Sequence, residues 1–110
     1  MLVELSVTPL GRGTHISKEV AEIVRLIDDS GLPYCLTPSG TCIEGDWDPV
    51  MELVKHCHLQ ARSTSSHVMT TLRIEDEEGG INKLSENVAA VERAAGRSLK
   101  NIIAPSLIKS

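Results

Sequence analysis

The sequence predicts an α+β fold, with elements in the order β-α-β-β-α-β and one further helix. Three observations predict it. Residues 1–10 and 67–74 alternate apolar and polar side chains with the period of a half-buried strand. Residues 17–31, 48–62 and 82–96 carry apolar residues at helical spacing. Between the first two helices, a Pro-Ser-Gly turn divides a short β-prone segment into two strands.

In the first strand, Val3, Leu5 and Val7 fall on one face, and Glu4, Ser6 and Thr8 on the other. Pro9 and the loop Gly11-Arg12-Gly13 end it. In the first helix, Val20, Ile23, Val24 and Ile27 form the apolar stripe. Ser17 suits the N-cap, Glu19 the first turn and Gly31 the C′ position. Residues 33–45, PYCLTPSGTCIEG, then read as two strands around Pro38-Ser39-Gly40. The second helix has Asp48 as N-cap, Pro49 at the first helical position, and a stripe of Val50, Leu53, Val54, Cys57 and Ala61. In the last strand, within 67–80, Val68, Thr70, Leu72 and Ile74 share a face, and the charged run from Glu75 follows. Leu84, Val88, Val91 and Ala95 align on the third helix. Residues 97–110 form a tail with apolar positions at Ile102, Ile103, Leu107 and Ile108.

This order is the ferredoxin-like split βαβ arrangement: a four-stranded antiparallel sheet with helices on one face, plus a C-terminal helix. Residues 1–96 make up the domain. The other sheet face, with Glu4, Ser6 and Thr8, is left for water or for a second subunit.

Composition narrows the function classes. At 110 residues the chain suits one domain. One Trp, one Tyr and no Phe leave little for stacking nucleic-acid bases, and a net charge of −4 disfavours phosphate backbones. Neither a nucleic acid nor a membrane is expected as a partner, since no apolar run approaches a bilayer span. Three cysteines without a CxxC pair, and an N-terminus that reads as a strand, point to a reducing cytoplasm.

Few residues suggest chemistry. His56, Cys57 and His58 are helical neighbours pointing in different directions, so they make no shared metal site. Cys35 and Cys42 lie on the two hairpin strands and read as small hydrophobes. Arg12 reads as a solvated loop charge. No nucleophile–base pair is legible. What remains is a set of hydroxyls and a carboxylate near the sheet centre: Ser6 and Thr8 on the first strand, Thr37 on the second, Thr41 and Glu44 on the third. Threonine is also simply a good strand former. The sequence leaves open which face Thr37, Thr41 and Glu44 take, because one bulge reverses the parity.

The segments VELSVTPLGRG, AEIVRLIDDSGLPYCLTPSGTCIEGDWDPVMELVKHCH and VMTTLRIEDEEG resemble the thiamine-binding protein family, over about residues 2–95. SGLPYCLTPSGTCIEGDWDPVM is the most specific part of the match. The resemblance implies a ferredoxin-like fold, homodimers or homotetramers formed by pairing sheets face to face, and no catalysis. It implies thiamine or its hydroxymethylpyrimidine moiety as bound ligand, with no further cofactor. A related two-repeat protein linked to thiamine uptake holds the pyrimidine between the first strand and a Thr near the start of the third. Carried onto this chain, those contacts fall near Val7, through its backbone, and on Thr41. Ser6, Thr8, Thr37 and Glu44 join them from the strand argument alone. The chain departs from this picture in having only Tyr34 and Trp47 as stacking candidates. Both are expected to be structural, Trp47 anchoring the start of the second helix. The tail also looks longer and more apolar than in the family. The alternative function is an oligomeric interaction module with a vestigial pocket.

Overall fold

The computed structural model describes residues 1–11, 13 and 16–101. Its elements are β1 (Leu2–Pro9), α1 (Ser17–Asp29), β2 (Tyr34–Thr37), β3 (Gly40–Glu44), α2 (Trp47–Thr64), β4 (Val68–Glu75) and α3 (Lys83–Ala95). The strands form one sheet in the order β2-β3-β1-β4, every neighbouring pair antiparallel. This is the expected ferredoxin-like topology. Arg12 and residues 102–110, which include most of the tail, lie outside the described residues.

Residues paired across an antiparallel ladder share a face, so the register sorts the side chains. Val3, Leu5 and Val7 of β1 pair with Ile74, Leu72 and Thr70 of β4, and Val3 and Leu5 with Ile43 and Thr41 of β3. That row faces α1 and α2. Val3, Leu5, Val7, Ile43, Ile23, Ile27, Val50, Leu53, Val54, Cys57 and Ala61 form the buried core beneath them. The opposite row holds Glu4, Ser6 and Thr8, with Cys42 and Glu44 of β3 and Arg73, Thr71 and Met69 of β4.

Local signals set most helix ends. Gly31 follows α1 with φ +78°, the left-handed conformation that only glycine adopts cheaply. Two start positions differ from expectation. Ile16, not Ser17, flanks α1, and Asp46, not Asp48, flanks α2; neither donates or accepts a side-chain capping bond. Pro49 therefore sits at the third helical position. It costs nothing there, because the first-turn amides have no partner four residues back.

α3 is held differently from the other two helices. Its first amides, Lys83 N–H and Leu84 N–H, donate to the two carboxylate oxygens of Glu44 at 2.6 and 3.1 Å. Asn87 Nδ2 donates to Glu75 Oε1 at 3.4 Å. Glu44 and Glu75 both pair with Leu2 and so belong to the row that faces away from α1 and α2. α3 thus starts on the otherwise open face, and none of its residues is buried. Val91, expected on its apolar line, is 58% exposed.

Candidate functional site

The site begins where β3 stops accompanying β1. The main-chain groups of successive strand residues point alternately to the two neighbouring strands. The Met1 carbonyl accepts from Gly45 N–H at 3.1 Å, and Leu10 N–H donates to the His67 carbonyl at 2.8 Å. Odd-numbered residues of β1 therefore turn their backbone toward β3, and even-numbered ones toward β4. Pairing with β3 ends at Leu5↔Thr41, whereas pairing with β4 runs on to Pro9↔Val68. Val7 thus presents its N–H and C=O to the space where a longer β3 would lie. The chain turns away there at Pro38 and Ser39, in a two-residue connection closed by the Thr37↔Gly40 pair.

That space is a cavity of about 250 Å³. Its floor is Leu5 and Val7, one wall is Leu36 and Thr41 of the hairpin, and the other is the α1 stripe, including Val20 and Val24. The Thr41 side chain is on the helix side of the sheet and only 5% exposed. Its hydroxyl has no hydrogen-bond partner among the described residues. No charged side chain is among the described residues that line the cavity. Among the described residues, the cavity offers an apolar wall, the strand-edge N–H and C=O of Val7, and the Thr41 hydroxyl.

Five of the six residues singled out from sequence border this cavity: Ser6, Val7, Thr8, Thr37 and Thr41. They do not contribute alike. Ser6 and Thr8 pair with Thr71 and Met69 in the row that faces away from α1 and α2, so their side chains project to the other face. The Thr37 hydroxyl is used inside the turn, donating to the Gly40 carbonyl at 2.9 Å and accepting from Gly40 N–H at 3.1 Å. Glu44 is elsewhere. Both its oxygens hold the α3 N-terminus, so the proximity expected of it in sequence is replaced by a capping role.

The sequence reading missed the α1 wall and Gly40. Ile16, Val20 and Val24 were legible as apolar, but their periodicity says only that they face inward, not that a gap remains there. Gly40 is required by close approach: a Cβ on it would lie 2.8 Å from the Leu5 carbonyl oxygen. Small size at the first residue of β3 lets the hairpin reach β1 and then leave it.

The remaining candidates are structural. Cys57 is fully buried in the core, and burial pushes its thiol up to about 11. His56 pairs with Glu52 at 3.2 Å, and His58 Nδ1 meets Thr70 Oγ1 at 2.6 Å, so the three neighbours point three ways. Among the described residues no three His, Cys, Asp or Glu side chains converge to hold a metal ion. Tyr34 Oη donates to Asp28 Oδ1 at 2.7 Å and ties β2 to the end of α1. Trp47 is 56% exposed, which corrects its expected role as an anchor for α2. No described helix is long and apolar enough to cross a membrane.

Comparison with known proteins agrees with this architecture. The family profile described as thiamine-binding protein matches residues 3–92. A UPF0045 protein of Mycobacterium bovis is 35% identical over 94 residues, covering 84% of this chain and 92% of that one. A UPF0045 protein of Synechocystis is 31% identical over 93 residues, covering 84% and 77%. Among solved structures, a hypothetical protein of Methanocaldococcus jannaschii superposes with a TM-score of 0.77 at 26% identity, covering 82% of this chain and 93% of that one. A Thermotoga maritima protein provisionally assigned to thiamine biosynthesis or salvage superposes with a TM-score of 0.74 at 23% identity, covering 82% and 96%. At that identity the second likeness speaks to the fold alone.

Proposed function

We propose, from the premise that this chain belongs to the thiamine-binding protein family, that it is a non-catalytic binding protein for thiamine or its hydroxymethylpyrimidine moiety, acting as a carrier or sensor. The observation that carries the reading is the main-chain edge of Val7, unpaired by β3 and facing a cavity without charged side chains among the described residues. An aminopyrimidine has a ring nitrogen that accepts and an adjacent amino group that donates. Laid against Val7, the ring nitrogen accepts the N–H and the amino group donates to the C=O. The heterocycle thereby occupies the rung that β3 leaves empty, as a strand would. Thr41 supplies a further hydroxyl from a rigid strand. Val20, Val24 and Leu36 close on the ring faces in place of an aromatic stack. Such a site, mostly apolar with a few fixed polar groups, is the usual form of a small-molecule pocket.

Among the described residues, the cavity lining includes no His, Cys, Lys, Asp or Glu, which supports binding without chemistry. The charged half of thiamine meets no counter-charge among those residues and extends toward solvent.

Assembly belongs to the same reading. The sheet face opposite α1 and α2 leaves Met69 56% exposed, and Val91 of α3 is exposed as well. Pairing of two such faces would cover them in a homodimer or homotetramer. The second reading, an oligomeric interaction module with a vestigial pocket, is favoured only by these exposed apolar residues.

Titration calorimetry of the purified protein with thiamine and with hydroxymethylpyrimidine tests the proposal. Saturable binding of both, with most of the affinity retained by the pyrimidine alone, is expected. Binding of neither by a folded protein refutes it and leaves the interaction module.

A further inference from the structure

We propose that Cys35 and Cys42 form a reversible thiol-oxidation site, which a hydroperoxide converts to an intrachain disulfide across the β2–β3 hairpin. The register places them directly opposite one another, so both side chains stand on the same face, the one away from α1 and α2. Pro33↔Glu44 is a hydrogen-bonded rung, since Glu44 N–H donates to the Pro33 carbonyl at 2.9 Å. Cys35↔Cys42 lies two residues further along and is therefore hydrogen-bonded as well. The Cα atoms of such a rung are about 5.5 Å apart. Disulfides span about 4.4 to 6.8 Å between Cα atoms, so the backbone separation is within reach. The Cβ atoms of a hydrogen-bonded rung stand about 5.5 Å apart and must close by roughly 1 Å to reach the about 3.5 to 4.5 Å of a disulfide, which the edge strand β2 allows by moving toward β3.

Access and selectivity also fit. Both thiols are free and partly exposed, whereas Cys57 is buried. β2 is an edge strand, so Cys35 lies at the margin of the face even where a second copy covers it. Cys57 is in the core beneath the helices, on the other side of the sheet, and cannot reach either partner. Burial holds the thiols of Cys35 and Cys42 above their ordinary range, and the Glu4 carboxylate adds to this at Cys42. The pair is therefore a slow site that responds to sustained oxidant rather than a fast peroxidatic one.

The chemistry balances with hydrogen peroxide as the oxidant. One thiol sulfur takes a peroxide oxygen as the O–O bond breaks, giving a sulfenic acid and releasing water. The second thiol attacks that sulfur. The S–S bond forms, the S–O bond breaks, and the oxygen leaves as water with the second thiol's proton. Two electrons pass from the sulfur pair to one peroxide molecule, and a dithiol reductant returns them.

The consequence reaches the cavity. The next rung toward the turn is Leu36↔Thr41, and both of its residues line the cavity wall. Closing the neighbouring rung stiffens this wall. A change in ligand affinity on oxidation rests on the binding reading above; the cross-link itself does not.

The test is peroxide treatment of the reduced full-length protein, alkylation of the remaining thiols in denaturant, and mass mapping of the peptides. The expected product has Cys35 linked to Cys42 within one chain and Cys57 alkylated, and dithiothreitol reverses it. Cys57→Ser should cross-link like the parent, and Cys35→Ser or Cys42→Ser should yield no intrachain link. Survival of three free thiols overturns the proposal. So does a link between chains, a link to Cys57, or oxidation that stops at sulfinic acid. An intact cross-link with no ligand binding in either redox state would sink the binding reading alone.

Discussion

Replacing Thr41 with Val separates folding from binding by the size of its two effects. The side chain is 5% exposed, and its residue lines the cavity rather than the sealed core. Water in the cavity can therefore solvate the hydroxyl in the free protein, and the full penalty of a sealed, unpaired hydroxyl does not apply. Thr41→Val keeps the volume and the strand preference, so the stability of the free protein should change by less than about 1 kcal/mol. For a domain of this size that is a melting-temperature shift below roughly 4 to 8 °C. The same change removes a hydrogen bond to the bound pyrimidine and leaves a ligand group unsatisfied. That loss is about 1 to 2 kcal/mol, or roughly 5- to 30-fold in affinity. Calorimetric titration and a thermal melt of the same preparation measure both quantities. Unaltered affinity for thiamine and hydroxymethylpyrimidine would remove Thr41 from the site. A free protein destabilised by clearly more than about 1 kcal/mol would show that the hydroxyl holds a protein partner, and the argument for a free donor in the cavity would fail.

Three further outcomes follow from named contacts. Gly40→Ala puts a Cβ 2.8 Å from the Leu5 carbonyl oxygen; a cost of roughly 1 to 3 kcal/mol is expected in urea unfolding, with weaker ligand binding as the hairpin moves off β1. Glu44→Ala removes the acceptor of two α3 amides; the loss should be about 1 to 2 kcal/mol, with faster hydrogen exchange at Lys83 and Leu84 and unchanged ligand affinity, which a ligand role for Glu44 would contradict. Cys57 titrates at about 11 in the fold against an ordinary 9.0, so the folded state holds its proton more tightly. Its stabilising contribution is full below pH 9 and is lost as pH rises toward 11, by about 2 to 3 kcal/mol at most. Cys57→Val should flatten that alkaline limb, and an unchanged slope would show that burial of the thiol is not its cause.

The pattern of side chains in the sequence determined the fold class. Alternation in β1, the α1 and α2 stripes and the Pro-Ser-Gly turn each follow from local geometry, and Val3, Leu5, Ile23, Ile27, Leu53 and Cys57 could be assigned to the core from spacing alone. The resemblance of VELSVTPLGRG and SGLPYCLTPSGTCIEGDWDPVM to a known family singled out Val7 and Thr41. Tertiary structure decided what local patterns do not encode. The β1–β3 register puts Thr41 with Leu5 on the helix side, and the same register puts Glu44 with Leu2 on the other. Five residues separated in sequence came to one cavity because β3 is short where β1 and β4 continue. Pairing of distant strands fixes both the face of a side chain and the direction of a backbone group. A strand's own residues carry its period, but only its neighbours determine where the unpaired edge of Val7 is exposed.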